Sequence, residues 1–286
     1  MKTLIIGEMG STPEGNLDTM KRLIDCAAEC GADVAKNQFT SSAQMMCDRR
    51  RAPEYLESYR LLQYPLEWHA ELREHAKARG LKYACSVYVP GDPTLIAPFV
   101  DYLKLASFEA DDQALYREAM LAKPTELPLD HEHIMGGVHV CPVIVSVGMQ
   151  PTTDHEWRLW EKKKCYAPEA ILHCVSSYPA PLSALNLSLC SGNGQYDGEP
   201  RYAGFSDHSR DVRVGAWAVA AGASILETHF RLDDCDPANK DYAVAFTPAD
   251  FKLYCQNVRD CEVAMGDGQK RVQDCEREME RFKVRL

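Results

Sequence analysis

What this 286-residue sequence lacks narrows its class before any motif is considered. It has no apolar run approaching the roughly 18 to 20 residues that a membrane span needs. Its opening stretch, MKTLIIGEMG, meets Glu8 too early to serve as a signal peptide. It is poor in positive charge: 32 Lys and Arg against 42 Asp and Glu leave a net charge of −10 and a pI near 5.4. That balance opposes the attraction to phosphate backbones on which nucleic-acid binding rests, so DNA and RNA are not expected partners. The twelve cysteines include no C-x-x-C pair and are scattered along a long chain, several in apolar patterns. Reduced thiols in a cytoplasmic protein are the expectation. Cys26 and Cys30, at i, i+4 on one helix face, read as small buried apolar residues. No G-x-G-x-x-G or Walker sequence is present, and Gly136-Gly137 reads as a turn. Any anionic ligand must therefore be held by a few local cations inside a pocket, against an acidic field.

What is present is an alternation of short apolar, β-rich runs with longer segments of helical period. The expected strands are 3–7, 33–37, 82–86, 102–106, 142–147, 170–175, 202–205 and 224–228. Helical patterns cover 16–30, 66–79, 92–99, 111–122, 153–163, 183–190, 211–221 and 248–265. Gly31, Gly80 and Gly222 stand where left-handed C-caps belong, and Pro248 follows Thr247 inside a first turn. Asp92 and Asp154 are candidate helix caps. Eight β-α units predict one α/β domain, a (β/α)₈ TIM barrel over 1–268, with a charged tail at 269–286; about 250 residues is ordinary for such a barrel. The stretch 123–141 is long for a connection and reads as an insertion. Its His131, Glu132, His133 and His139 lack the spacing of a metal motif and are expected to be solvated. Tyr55, Tyr59, Tyr64 and Trp68, in the connection after strand two, are expected to pack the barrel's outside.

Barrel enzymes carry their chemistry at the C-terminal ends of the strands. The polar residues there are Glu8, Lys36, Gln38, Ser86, Lys104, Ser107, Glu109, Ser146, Ser176, Tyr178, Ser206, His208, Glu227 and His229. Period-two geometry puts Lys36 with Gln38, Ser206 with His208, and Glu227 with His229 on shared faces. A lysine inside an apolar strand needs an anionic partner, so Lys36 and Lys104 point either to a phosphate or carboxylate ligand or to structural ion pairs. His208 and His229, at the ends of adjacent strands, can converge on one divalent metal, with Glu8 reaching from across the closing seam; such N and O ligation suits Mn²⁺, Mg²⁺ or Zn²⁺.

These residues resemble the sialic acid synthase family, N-acetylneuraminate synthase and its relatives for other nonulosonic acids. The resemblance runs along nearly the whole barrel, through IIGEMG, GNLDTMKRLIDCAAECGADVAKNQ, DYLKLASFE, VIVSVGM, ILHCVSSYPAP with the following Asn186, and GFSDHS before GASILETHF. It implies condensation of phosphoenolpyruvate with an N-acetylhexosamine aldehyde, N-acetylmannosamine or a relative, to give a nine-carbon 2-keto acid and phosphate. Lys36, Lys104, Ser107, Ser146, Ser176 and Ser206 match positions that hold phosphoenolpyruvate, beside Ser86 of strand three. His208 and His229 match the metal ligands, for which Mn²⁺ is the first expectation. Glu8 matches an active-site carboxylate, and Gln38, Glu109, Tyr178 and Asp241 match sugar-contacting positions.

The sequence departs from the family at Thr12-Pro13, where Asn-His is usual, at Val87, where a Thr usually follows the serine, and at PANKDY around Asp241. The chain ends at about the linker beyond which bacterial members continue into an antifreeze-like domain, so a homodimer or a separate antifreeze-like chain is an expected partner. Two other readings stand beside the synthase: condensation with a different aldehyde, and a non-catalytic barrel that binds a ligand or partner.

Overall fold

Eight parallel strands pair in chain order and close on themselves. The computed structural model describes residues 2–124, 134–135, 138–149, 168–190 and 202–284. The strands are β1 (Leu4–Glu8), β2 (Val34–Phe39), β3 (Lys82–Val87), β4 (Tyr102–Leu105), β5 (Val143–Val147), β6 (Ala170–Cys174), β7 (Gly204–Asp207) and β8 (Ile225–His229). The seam is β1 against β8, in a register that sets Glu8 beside His229. The described helices are α1 (Leu17–Cys30), α2 (Ala43–Arg50), α3 (Leu56–Arg60), α4 (Trp68–Ala78), α5 (Asp92–Ile96), α6 (Gln113–Leu121), α7 (Val214–Ala220) and α8 (Pro248–Met265). None is long and apolar enough to cross a membrane.

Local chemistry sets the boundaries. Asn16 caps α1 through a bond from the Thr19 amide, and Gly31 ends it with a φ of 91°. Thr247 accepts from the Asp250 amide at the start of α8, with Pro248 in the first turn. Asp92 does not cap its helix from the N-cap position, which Gly91 holds; its buried carboxylate instead accepts from the amides of Ser41 and Val89. The helical pattern expected at 183–190 forms two 3₁₀ turns, Leu182–Ala184 and Leu187–Cys190, separated at Asn186, whose φ is 46°. Strand β7 runs from 204 to 207 rather than the expected 202–205, and Gly204 sits so close to β8 that a Cβ there would overlap the Ile225 carbonyl oxygen. The expected helix 153–163, Asp154, His131 to His133 and Gly136-Gly137 lie outside the described residues; Ile134–Met135 pairs antiparallel with Val138–His139.

The inside of the barrel changes character over one pleat. A lower layer of Ile6, Val34, Ala84, Tyr102, Ile144, Ala170 and Leu172 forms a closed apolar cluster. Two residues further along the same strands, where the side chain returns to the same face, stand Glu8, Lys36, Ser86, Lys104, Ser146, Cys174, Ser206 and Glu227. The outward residues pack against the helices in a separate, larger cluster that includes Val87, Cys26 and Cys30. The Cys26 and Cys30 sulfurs lie 3.9 Å apart as buried thiols. Beyond α8, residues 266–284 are exposed.

Candidate active site

The polar layer floors a cavity of about 570 Å³ that opens at the C-terminal ends of the strands. Its centre is a buried charge network. Lys36 pairs with Glu8, donates to Ser86 Oγ at 2.7 Å and lies 3.5 Å from Glu227. Lys104 donates to Ser146 Oγ at 2.7 Å and to the Leu105 carbonyl at 3.1 Å, and lies 3.6 Å from Glu227. Ser206 Oγ donates to Glu227 at 2.9 Å. Burial would raise the Glu227 carboxyl, but Lys104, Lys36 and Ser206 hold it down at about 2. Burial lowers Lys36 to about 8, with Lys104 adding to the effect and Glu227 opposing it. The arrangement holds two buried cations and a row of hydroxyls at the floor of the cavity, where their internal partners can be exchanged for an incoming phosphate or carboxylate.

On the seam side, His208 Nδ1 donates to the Val175 carbonyl at 3.0 Å, a tautomer that leaves Nε2 with a lone pair. His229 has a buried Nδ1 with no hydrogen-bond partner. The two rings are 5.6 Å apart, with the Tyr178 ring 4.4 Å from that of His208. Burial, and for His208 also the neighbouring His229, lowers both imidazoles, His208 to about 4, so both are neutral near pH 7. Neutral imidazoles with open nitrogens fit a divalent cation. Glu8 does not join them, because its oxygens are taken by Lys36, by the Gly10 amide and by Gln38 at 3.3 Å. Among the described residues no group of three His, Cys, Asp or Glu side chains is arranged around one metal position. Two imidazoles would leave the other positions to water and substrate oxygens. Asp241 approaches His229 and accepts from Ser11 N and Oγ, both at 2.7 Å. Gly10, at φ 58°, is required there: a Cβ would come within 2.9 Å of His229 Nδ1 and 2.5 Å of Asp241 Oδ2.

The outer wall comes from the segment after β2. Helix α2 ends in Arg49 and Arg50, held by a cluster in which Met46, Cys47, Tyr59, Leu62, Tyr88 and Val89 are buried together. The Arg50 guanidinium lies 5.5 Å from the Tyr59 ring, 5.0 Å from Tyr88 and 4.9 Å from Phe108. It also donates to Glu109 at 2.6 Å and 3.0 Å. Burial raises the Glu109 carboxyl and Arg50 opposes that shift.

All the residues expected at the site line the cavity except Glu109 and Ser176. Glu109 is covered by Arg50, and Ser176 stands behind Ser107, their hydroxyls 2.8 Å apart. Tyr55 and Tyr59 line the cavity, which packing alone did not anticipate, although Tyr59 also packs in the buried cluster, while Tyr64 stacks on Trp68 away from it. Arg49, Arg50, Tyr88, Phe108, Cys174 and Lys240 also line the cavity and were not anticipated; Glu227 was noticed only as a strand-end carboxylate. The run Arg49-Arg50-Arg51 in an acidic chain was the available signal for the outer wall.

Comparison with known proteins gives a consistent result. The family model described as "NeuB family" matches residues 23–270. The N,N'-diacetyllegionaminic acid synthase of Campylobacter jejuni is 28% identical, over 96% of this chain and 81% of that protein. The pseudaminic acid synthase of the same organism is also 28% identical, over 93% of this chain and 76% of its own. The crystal structure of an N-acetylneuraminic acid (sialic acid) synthetase from Leptospira borgpetersenii superposes with a TM-score of 0.78 at 22% identity, covering 99% of this chain and 91% of that one, a likeness of fold.

Proposed function

The chain belongs to the NeuB family, and from that premise we propose that it condenses phosphoenolpyruvate with an N-acetylhexosamine-type aldehyde to form a nonulosonic acid and phosphate, with Mn²⁺ as cofactor. The observation that carries this reading is the buried lysine pair, Lys36 and Lys104, ringed by Ser86, Ser146 and Ser206 at the base of an open cavity. In a chain of net charge −10, this is a built anion site. The synthases among its relatives supply the reaction class.

The lysines and serines hold the phosphate and carboxylate and orient the enol carbon toward the seam. His208 and His229 would hold the cation, which would supply Lewis acidity toward the aldehyde oxygen. The enol carbon forms its bond to the aldehyde carbon, whose oxygen takes up a proton. Water adds to the resulting cationic carbon and gives up a proton, and phosphate leaves with cleavage of the carbon–oxygen bond. Glu8, hydrogen-bonded by Gly10 and Gln38 beside Lys36, is positioned to move those protons.

The direct test is phosphate release from phosphoenolpyruvate with Mn²⁺ and a panel of N-acetylated hexosamines. Release that depends on both metal and aldehyde is the expected result. Silence with every aldehyde, together with no Mn²⁺ binding, overturns the proposal.

A further inference from the structure

Cys26 and Cys30 take no part in the chemistry at the barrel mouth. They stand one turn apart on α1 with their sulfurs 3.9 Å from each other. The carbonyl oxygen of Pro248, in the first turn of α8, lies 3.4 Å from the Cys30 sulfur. Both are free thiols that keep a little exposure, 9% and 8%, so a small ion can reach them. The Cys26 thiol donates to the Cys30 sulfur, which lowers Cys30 from its ordinary value and pushes Cys26 up. The Lys252 ammonium adds to the lowering at Cys30, and thiolate is the form that binds metal.

The two spacings are those of ligands around a tetrahedral d¹⁰ cation. With sulfurs at about 2.3 Å and an oxygen at about 2.1 Å, tetrahedral zinc sets two sulfurs about 3.8 Å apart and a sulfur and an oxygen about 3.6 Å apart. The observed 3.9 and 3.4 Å agree with both edges to within about 0.2 Å. A linear dithiolate ion would hold the sulfurs at twice the metal–sulfur distance, further apart than they stand. A disulfide would need them to close by nearly half. Packing alone accounts for the burial of the two side chains, but not for the match of both edges.

We propose that Cys26 and Cys30 form a metal site apart from the barrel mouth, which binds Zn²⁺ as a dithiolate with the Pro248 carbonyl and water completing the tetrahedron. Among the described residues no third His, Cys, Asp or Glu side chain joins the pair, so the two thiolates supply most of the affinity. On binding, two sulfur–zinc bonds form, two S–H bonds break, and both protons pass to solvent. Helix α1 follows β1 and α8 follows β8, the strands whose pairing closes the barrel. Cys30 and Pro248 are 218 residues apart in sequence, so the ion finds this ligand set only in the folded chain and stabilises it by mass action. The site does not depend on the condensation reading.

The test uses the intact, reduced chain with Co²⁺ as the probe, in a His208→Ala background that disables the histidine pair. One equivalent of Co²⁺ should give a thiolate-to-metal charge-transfer band in the near ultraviolet and the strong visible bands of tetrahedral cobalt. Zn²⁺ should displace it and bleach both, with about two protons released per ion bound to the free thiols. Cys26→Ser and Cys30→Ser should each abolish the charge-transfer band, whereas Cys275→Ser, in the exposed tail, should keep it. A second measurement needs no cysteine variant: Zn²⁺ at ten times its Kd should slow alkylation of Cys26 and Cys30 by iodoacetamide about tenfold, read by peptide mass spectrometry. No charge-transfer band at excess Co²⁺, a band that survives in both serine variants, or alkylation of the pair unchanged by Zn²⁺ overturns the site.

Discussion

Replacing Glu227 by Gln removes the carboxylate that, among the described residues, faces both buried lysines. In the native arrangement its oxygens stand 3.5 Å from Lys36 and 3.6 Å from Lys104 and accept from Ser206 at 2.9 Å. The amide keeps the shape but deletes the charge and turns a donor toward one ammonium. Lys36 retains Glu8, whereas Lys104 is left with Ser146 Oγ and the Leu105 carbonyl. Breaking a buried pair by removing one partner costs roughly 3 to 5 kcal/mol. For a chain of this size each kcal/mol moves Tm by about 2 °C or slightly more, so a fall of roughly 6 to 12 °C is expected in calorimetry without ligand. Inorganic phosphate should raise Tm more in the variant than in wild type, because the anion now meets two under-compensated lysines. The acid limb should also change. The Glu227 carboxyl is depressed from 4.5 to about 2 in the folded chain, so its stabilisation is complete above about 4.5 and is lost as pH falls toward 2. The Gln variant lacks that contribution to the slope. A variant that melts within about 2 °C of wild type, with no enhanced response to phosphate, would refute the idea that Glu227 holds charged lysines in place.

Three further outcomes follow from the same geometry. Burial lowers Lys36 from 10.5 to about 8, so affinity for phosphoenolpyruvate should fall as pH rises through about 8, and Lys36→Arg, charged throughout, should flatten that decline; an unchanged profile in a folded, binding-competent variant would count against Lys36 as an anion ligand. His208→Ala should abolish both Mn²⁺ binding, read by magnetic resonance, and phosphate release, and full activity in this variant would remove His208 from the metal site. Gly204→Ala would drive a methyl into the Ile225 carbonyl between β7 and β8 and should cost at least about 3 kcal/mol or prevent soluble expression; native stability would show that the two strands are not so closely opposed.

The barrel was legible because short apolar, β-rich runs alternate with helical segments, and on several strands an apolar residue is followed two positions later by a polar one, as in Ile6 and Glu8, Val34 and Lys36, or Tyr102 and Lys104. That alternation reports both the strand and the face. The outer wall was obscure for a physical reason. Helices α2 and α3 are short, flank Pro53, and are stabilised by a tertiary cluster with Tyr88 and Val89 from beyond β3 rather than by a periodic face of their own. Arg50 over Glu109 is likewise a long-range pairing with no local signature, which is why the sequence pointed to the carboxylate and missed the guanidinium covering it. Lys240 gave no signal beyond interrupting an expected pattern next to Asp241.

The change from an apolar to a polar layer over one pleat bears on assembly as well as on chemistry. Both lysines belong to the first four strands, whereas Glu227, Ser206 and the two histidines come from the last two. An isolated first half would expose Lys104 against an apolar floor with its counter-charge still far along the chain. Closing the ring therefore does two things at once: it completes the hydrogen-bonded circle of strands and it discharges a stored electrostatic imbalance. Half-barrels cut between β4 and β5 should be poor modules alone and strong partners for one another, since each carries the charges the other lacks.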